Sequence, residues 1–180
     1  MLRYIKFYAQ LCFLKVAPQD APASTNAYYV SIFAYLLVGA FVIAITQSVL
    51  TGLFLSGVQT ALLMFLANLV LWIKKTPGRY HQTLTALCAT GAIIGIIAMP
   101  LMSFVANSGA TGGGVDTDTL SFGFIIWLVL ILWESLVVAH ILKHSMDIPM
   151  MAGLAGAFVY MYLSFAITLR LLKVMSMSIG

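Results

Sequence analysis

Long apolar stretches separated by short polar breaks dominate the chain. Residues 28–73 form the longest of them, with no charged residue among 46 positions. A single helix of that length would measure about 69 Å, more than twice the roughly 30 Å hydrocarbon core of a bilayer. The polar break at Gln47 and Ser48 therefore predicts two antiparallel membrane-spanning helices that are joined by a tight turn.

Three further apolar stretches of spanning length follow, each bounded by charged, glycine or proline residues. Pro100 is expected to kink the third span, and Pro149 suits the first turn of the fifth. The five predicted spans cover residues 28–46, 51–73, 82–105, 120–142 and 149–172. The pattern therefore predicts an all-α integral membrane protein, with five transmembrane helices in one domain over residues 24–180.

The segment 1–23 has a different pattern. On a helix, Arg3 and Lys6 lie on one side, and the apolar residues share the other: Tyr4, Ile5, Tyr8, Leu11 and Cys12. This predicts a short amphipathic helix on the membrane surface, with Arg3, Lys6 and Lys15 facing anionic lipid head groups. A proline-rich linker joins it to the first span. The alternative is a basic segment that is merely solvated.

Composition excludes other classes of protein. Apolar residues make up 62% of the chain and charged residues 8%, too few charges for a water-soluble surface or a disordered chain. The net charge of +4 comes from thinly spread Lys and Arg residues, so no nucleic-acid binding is expected. Cys12 and Cys88 are far apart and lack zinc-ligand spacing, and we expect no metal and no cofactor.

The cations predict the orientation in the membrane. With a cytoplasmic N-terminus, Arg170 and Lys173 are the only cations on the opposite side. Seven fall on the cytoplasmic side: Arg3, Lys6, Lys15, Lys74, Lys75, Arg79 and Lys143. Because positive residues concentrate in cytoplasmic loops, this distribution predicts that the N-terminus is cytoplasmic.

Glu134 is the one acidic residue inside an apolar stretch, nine residues before Lys143. A charge at such depth costs at least about 2.5 kcal/mol, so its side chain is expected to face protein or water. Asn68, Thr90 and His140 are predicted to form an intramembrane polar cluster with it. We favour an interhelical hydrogen-bond clamp and keep a proton or cation site as the alternative.

Small residues predict where helices pack closely. Gly91 and Gly95 are four residues apart on the third span, and Gly153 and Gly156 lie on the fifth. Such residues let helix backbones approach each other in lipid. The sequence contains no catalytic motif, and the spacing of His140 and His144 supplies only two metal ligands, so we expect neither an enzyme nor a metal site.

Three stretches together carry a family resemblance: APQDAP at 17–22, RYHQTLTALCATGAIIGIIAMPL at 79–101 and WESLVVAHILKHSMDIP at 133–149. They resemble uncharacterised proteobacterial inner-membrane proteins that are similar in outline to the Ypt-interacting-protein (YIP) five-helix family. The resemblance implies five spans, a cytoplasmic N-terminus, the bacterial inner membrane and no known enzymatic activity.

These observations favour a non-catalytic multi-pass protein that acts as a scaffold or accessory subunit of a larger inner-membrane assembly. Its expected partners are membrane lipids, and either other membrane-protein subunits or further copies of the chain. The alternative is a small proton- or cation-coupled transporter or channel that uses Glu134.

Overall fold

The structure is a computed structural model that describes residues 2–21, 24–110 and 117–179. All regular elements in these ranges are helical. The six α-helices are α1 (Leu2–Cys12), α2 (Thr25–Ala44), α3 (Val49–Ile73), α4 (Tyr80–Ala110), α5 (Thr117–Met146) and α6 (Met150–Ile179). Short 3-10 turns precede α2 and α4, at Pro18–Asp20 and Pro77–Arg79.

Five of the helices, α2 to α6, are long and apolar enough to cross a membrane. The protein is therefore an all-α, multi-pass membrane protein with a short additional helix at its N-terminus, as the sequence pattern predicts. Several helices extend beyond the predicted spans: α4 continues past 105 to Ala110, and α6 continues past 172 to Ile179. A helix satisfies its own backbone hydrogen bonds, so the edge of the hydrocarbon region does not end it.

The polar break inside the long apolar stretch is a helix cap. α2 ends at Ala44, and Ser48 precedes the first residue of α3. The Ser48 hydroxyl accepts a hydrogen bond of 3.2 Å from the backbone N–H of Thr51, which satisfies one of the free amides at the start of α3. Ser24 caps α2 in the same way, by accepting from Ala27.

The five long helices form a closed ring. Along the ring α3 packs on α2, α2 on α4, α4 on α5 and α5 on α6. The ring closes where α3 meets α6, and there the Gln59 side-chain amide donates 3.1 Å to the Thr168 hydroxyl. Apolar side chains from α3, α4 and α5, including Leu63, Leu84 and Val137, form the core.

Glycines sit where the helices of the ring come closest. A Cβ atom built on Gly91 would lie 2.7 Å from the Tyr35 ring, and one on Gly95 would lie 2.6 Å from Val38, both on α2. A Cβ on Gly153 would lie 2.6 Å from the backbone oxygen of Ala139 on α5. A Cβ on Gly156 would be less crowded, at 3.2 Å from the side chain of Leu142 on α5. The four glycines singled out in the sequence thus lie at contacts inside this chain.

Candidate functional site

A small cavity lies at the centre of the ring. Its volume is about 10 Å³, roughly the space that one water molecule requires. Every span contributes to its wall: Tyr35 from α2, Leu63 from α3, Thr90 from α4, Glu134 from α5 and Tyr160 from α6. The cavity therefore brings a carboxyl group and three hydroxyl groups together on the axis of the bundle.

The length of α2 gives the depth of this cluster. α2 has 20 residues, so it is about 30 Å long and matches the hydrocarbon thickness. Tyr35 is its eleventh residue and lies near mid-membrane. Thr90 and Tyr160 are each ten residues from the start of their helices, which places them at a similar depth. The cluster around Glu134 is consequently far from bulk water.

The hydroxyl groups of the cluster have partners other than Glu134. The phenol oxygens of Tyr35 and Tyr160 are hydrogen-bonded to each other at 2.9 Å. The Thr90 hydroxyl donates back to the carbonyl of Ala86 at 2.8 Å. In the part of the chain that the structure describes, no side chain donates a hydrogen bond to the Glu134 carboxyl. This carboxyl faces a cavity with space for about one water molecule.

The composition of the cluster differs from the sequence prediction in two residues. Thr90 shares the cavity with Glu134, but Asn68 is exposed on α3. His140 lies nearer the end of α5, where its Nε2 is 3.2 Å from the carbonyl of Val16. The prediction chose residues at the same depth in the membrane as Glu134. Depth does not determine how a helix is rotated about its own axis, and so does not determine which residues face the bundle. Ala67 is buried, and Asn68 points about 100° away from it.

The two tyrosines were missed by the sequence analysis. Their signal was available, since each interrupts an apolar span about ten residues from its first turn. The same depth count that selected Thr90 applies to Tyr35 and Tyr160. Tyrosine was passed over because it counts as apolar in the hydrophobic pattern, although its hydroxyl needs a partner inside a membrane.

The N-terminal helix α1 packs on protein with its apolar face. Tyr8, Leu11 and Cys12 are buried, and Leu11 is 0% exposed. They join a core cluster with residues of α4 and α5, among them Leu84 and Ile141. α4 and α5 therefore cover the apolar face of α1, a contact that the prediction of a surface helix does not include.

Hydrogen bonds then fasten the segment after α1 along α5. The Trp133 indole N–H donates 2.9 Å to the carbonyl of Cys12, and the Gln19 amide donates 2.6 Å to the carbonyl of His144. Because these two α5 residues are 11 positions apart, the segment follows about 16 Å of the helix. The N-terminal segment is thus an integral part of the bundle: α1 ends beside Trp133, and the segment after it reaches the carbonyl of His144 near the end of α5.

Two of the three basic residues that were predicted to face lipid head groups are exposed. Lys6 and Lys15 are exposed, and the side chain of Arg3 lies outside the described part of the structure. Both cysteines are buried and free. Burial raises the pKa of the Cys12 thiol to about 11, so at neutral pH this thiol is protonated and weakly reactive.

Arg79 ties the helix ends together at the same end of the bundle. Its guanidinium donates 3.0 Å to the carboxylate of Asp147 and 3.2 Å to the carbonyl of Ser145, in the last turn of α5. A cation at a helix C-terminus is stabilising because it meets the free carbonyl groups there. The predicted basic loop, which connects α3 to α4, therefore also holds the start of α4 against the end of α5 through Arg79.

A wider cavity of about 360 Å³ opens between the starts of α2 and α4. Its wall includes Ser24, Tyr28, His81, Gln82 and Thr85. The Tyr28 and His81 rings meet edge to face at 4.7 Å. This cavity can accommodate a small polar molecule or a lipid head group.

The side of α3 that points away from the bundle carries an unusual polar residue. We call this side the outer face of α3; it consists of Phe54, Val58, Ala61, Phe65, Asn68 and Trp72. Phe65 and Trp72 are 63% and 71% exposed. Among the carboxamides inside the long helices of the described chain, Asn68 is the only exposed one away from a helix end.

Asn68 lies five residues before the end of α3, about 8 Å inside the span. It has no hydrogen-bond partner within the described residues. An unpaired carboxamide costs free energy in hydrocarbon, because lipid chains neither donate nor accept hydrogen bonds. Association with another protein that pairs this group would remove that cost.

The described residues contain no group of three His, Cys, Asp or Glu side chains placed as metal ligands. Fold and site together define a multi-pass helical membrane protein with a central polar cluster. No protein-family model, no curated protein and no solved structure matches the chain. The five spans implied by the YIP resemblance are present, while membership of that family stays a prediction.

Proposed function

We propose that this protein is a non-catalytic scaffold or accessory subunit of a larger membrane assembly, and that it binds its partner through the outer face of α3. The observation that carries the proposal is Asn68, a carboxamide that faces lipid without a partner in the described chain. Interhelical hydrogen bonds of such groups stabilise helix association in membranes.

The small-residue contacts of this chain support an external role for α3 by elimination. Gly91, Gly95 and Gly153 already face side chains or backbone of neighbouring helices. They leave no room for a helix from another protein. Gly57, in contrast, has nothing within 4 Å of an added Cβ and lies next to Val58 of the outer face. A partner helix can therefore approach α3 closely from outside.

Purification from native membranes in a mild detergent tests this function. We expect proteins that co-purify with the wild type, or further copies of the chain in the complex, to be lost with Asn68→Leu, which replaces the carboxamide by a branched apolar side chain. Asn26→Leu is the matched control, because Asn26 is an exposed carboxamide in the first turn of α2. Identical sets of co-purifying proteins, together with an identical size of the purified complex, in the wild type and both variants would contradict the proposal.

The proposal also includes the bacterial inner membrane, a cytoplasmic N-terminus and a YIP-like relationship. The three stretches that resemble that family support the relationship. The orientation is supported by the cation count, and by the exposure of Lys74 and Lys75 in the loop between α3 and α4.

Cysteine labelling checks the orientation. Gln47 and Gly78 are both exposed and lie at opposite ends of α3, and both native cysteines are buried. In intact spheroplasts, a membrane-impermeant maleimide is expected to label Gln47→Cys but not Gly78→Cys. The reverse pattern would place the N-terminus outside.

The central cavity favours a second candidate function, proton or cation movement through Glu134. Its support is a mid-membrane carboxyl that faces space for one water and accepts no hydrogen bond from the described chain. A clamp requires a donor to this carboxyl, and the Thr90 hydroxyl donates to Ala86 instead. An ionisable group without a structural partner inside a membrane is typical of transport pathways.

For this candidate we expect wild-type proteoliposomes to dissipate an imposed pH gradient and Glu134→Gln proteoliposomes to hold it. Glutamine keeps the volume and polarity of the side chain but cannot release a proton. Both proteins are expected to melt at the same temperature in detergent, because no hydrogen bond to the described chain is lost. Equal rates of gradient decay in the two preparations would contradict a transport role for Glu134.

A further inference from the structure

We propose that the partner at the outer face of α3 is a second copy of this chain, and that the two copies form a symmetric dimer in which Asn68 pairs with Asn68. This inference rests on the proposed function and names its partner. It follows from the chemistry of the carboxamide, from its depth in the membrane and from the spacing of its neighbours.

The carboxamide of Asn68 is complementary to itself. It carries an N–H₂ donor and a carbonyl acceptor, so two such groups related by a two-fold axis can each donate to the other. A two-fold interface brings a residue on the axis face to face with its own copy. A single polar pair in an apolar helix interface also fixes the register of the two helices.

The membrane adds a condition that a second copy meets automatically. All copies of a chain insert with the same orientation, so Asn68 of each lies at the same depth, five residues before the end of α3. An unrelated partner needs its own polar group at that depth and on the correct helix face. Two parallel α3 helices from two copies meet both conditions without further adjustment.

The remaining residues of the outer face have the spacing that helix pairing requires. From Phe54 to Trp72 they follow at intervals of four and three residues, the heptad spacing that faces a partner helix in a left-handed pair. Ala61 lies one heptad before Asn68. Gly57 lies one helical turn before Ala61, and a Cβ added to it would have no atom within 4 Å. The two backbones can approach at Ala61, and the aromatic side chains can pack around the Asn68 pair.

Within the residues that the structure describes, no side chain of this face is buried, and five of its six residues are exposed. The buried side of α3 holds Gly52, Ser56, Leu63 and Ala67, and it contacts α2 and the core. The outer face lies on the opposite side of the helix. A dimer through this face leaves the ring and the central cavity intact, so its loss need not unfold the protein.

Two experiments on the full chain test the dimer. Copies with two different affinity tags are co-expressed, and the second tag is measured after purification through the first. We expect Asn68→Leu to lower recovery roughly eightfold, because two reciprocal interhelical hydrogen bonds of average strength are lost, with an unchanged melting temperature. Asn68→Gln, which keeps the carboxamide, is expected to restore most of the recovery, and Asn26→Leu is expected to leave it unchanged.

Oxidative cross-linking in native membranes provides the geometric readout. Ala61→Cys is expected to form a disulfide between copies, because a bond of this kind needs Cβ atoms about 4 Å apart. Val159→Cys, on the exposed side of α6, is the control and is expected to form none. The buried Cys12 and Cys88 leave a low background.

The outcomes separate this inference from the proposed function. Recovery of the second tag at background level in the wild type, with other proteins still lost from Asn68→Leu, would overturn the dimer and leave the accessory role standing. If Asn68→Leu changes neither the second tag nor the co-purifying proteins, both proposals are overturned. Cross-linking at 159 as strong as at 61 would show random collision and would also overturn the dimer.

Discussion

Replacement of Gly153 by leucine is expected to lower the apparent melting temperature of the detergent-solubilised protein by roughly 10 °C. A Cβ at this position would lie 2.6 Å from the backbone oxygen of Ala139 and 3.2 Å from its Cα. A backbone atom cannot rotate out of the way as a side chain can, so α6 must move away from α5. Overpacking of this kind costs about 3 kcal/mol, which corresponds to that shift in a chain of this length.

Ala155→Leu is the matched control for this prediction. Ala155 lies two residues along the same helix and is exposed, so the added volume enters lipid or detergent. Its melting temperature is expected to stay within about 2 °C of the wild type, as for most surface substitutions. Equal melting temperatures for Gly153→Leu and Ala155→Leu would show that α5 and α6 do not pack at this glycine.

Leu11→Ala is expected to destabilise the whole bundle by about 2–5 kcal/mol, the usual cost of truncating a buried leucine. Leu11 is 0% exposed and belongs to the core cluster that includes Leu84 and Val137. The truncation therefore leaves a cavity between α1 and the spans. Thermal unfolding in detergent measures the loss, and no lipid is needed to observe it.

Phe13→Ala is the control, because Phe13 is in the same segment and 65% exposed. We expect it to change the melting temperature much less than Leu11→Ala does. If α1 instead lay on lipid through its apolar face, both substitutions would weaken only membrane adsorption. Similar small shifts for the two variants in detergent would therefore contradict the packing of α1 on α4 and α5.

The spans could be predicted from sequence because one physical requirement determines them. A helix that crosses a bilayer needs an uninterrupted apolar stretch of known length, and the polar break at Ser48 had to separate two of them. The cap that Ser48 forms on α3 is local chemistry of the same kind. Both signals lie in neighbouring residues and need no knowledge of the tertiary structure.

Rotation about the helix axis could not be predicted in the same way. An apolar span surrounded by lipid carries no contrast between its inner and outer sides, unlike a helix in water. Asn68 was therefore placed inside the bundle with Glu134, although the neighbouring Ala67 is the buried residue. The side of α3 that faces the bundle carries the polar residues Ser56 and Thr60, and only the folded structure reveals that they are buried.

The N-terminal helix shows the same limit in another form. Its two-sided pattern correctly predicts an apolar face and a basic face, but a pattern does not say what covers the apolar face. Lipid and protein are equivalent solvents for Leu11 in that respect. The hydrogen bond from Trp133 to the carbonyl of Cys12 joins residues 121 positions apart in sequence. This long-range contact holds α1 against the bundle, so that protein rather than lipid covers its apolar face.

The central claim, that the outer face of α3 contacts protein, is tested most directly by photo-crosslinking in native membranes. A photoreactive phenylalanine analogue at Phe65, which is 63% exposed on this face, is expected to give a protein adduct on gel electrophoresis. The same analogue at Phe165, equally exposed on α6, is expected to react with lipid alone. Adducts at Phe165 but none at Phe65, or none at either position, would contradict the account.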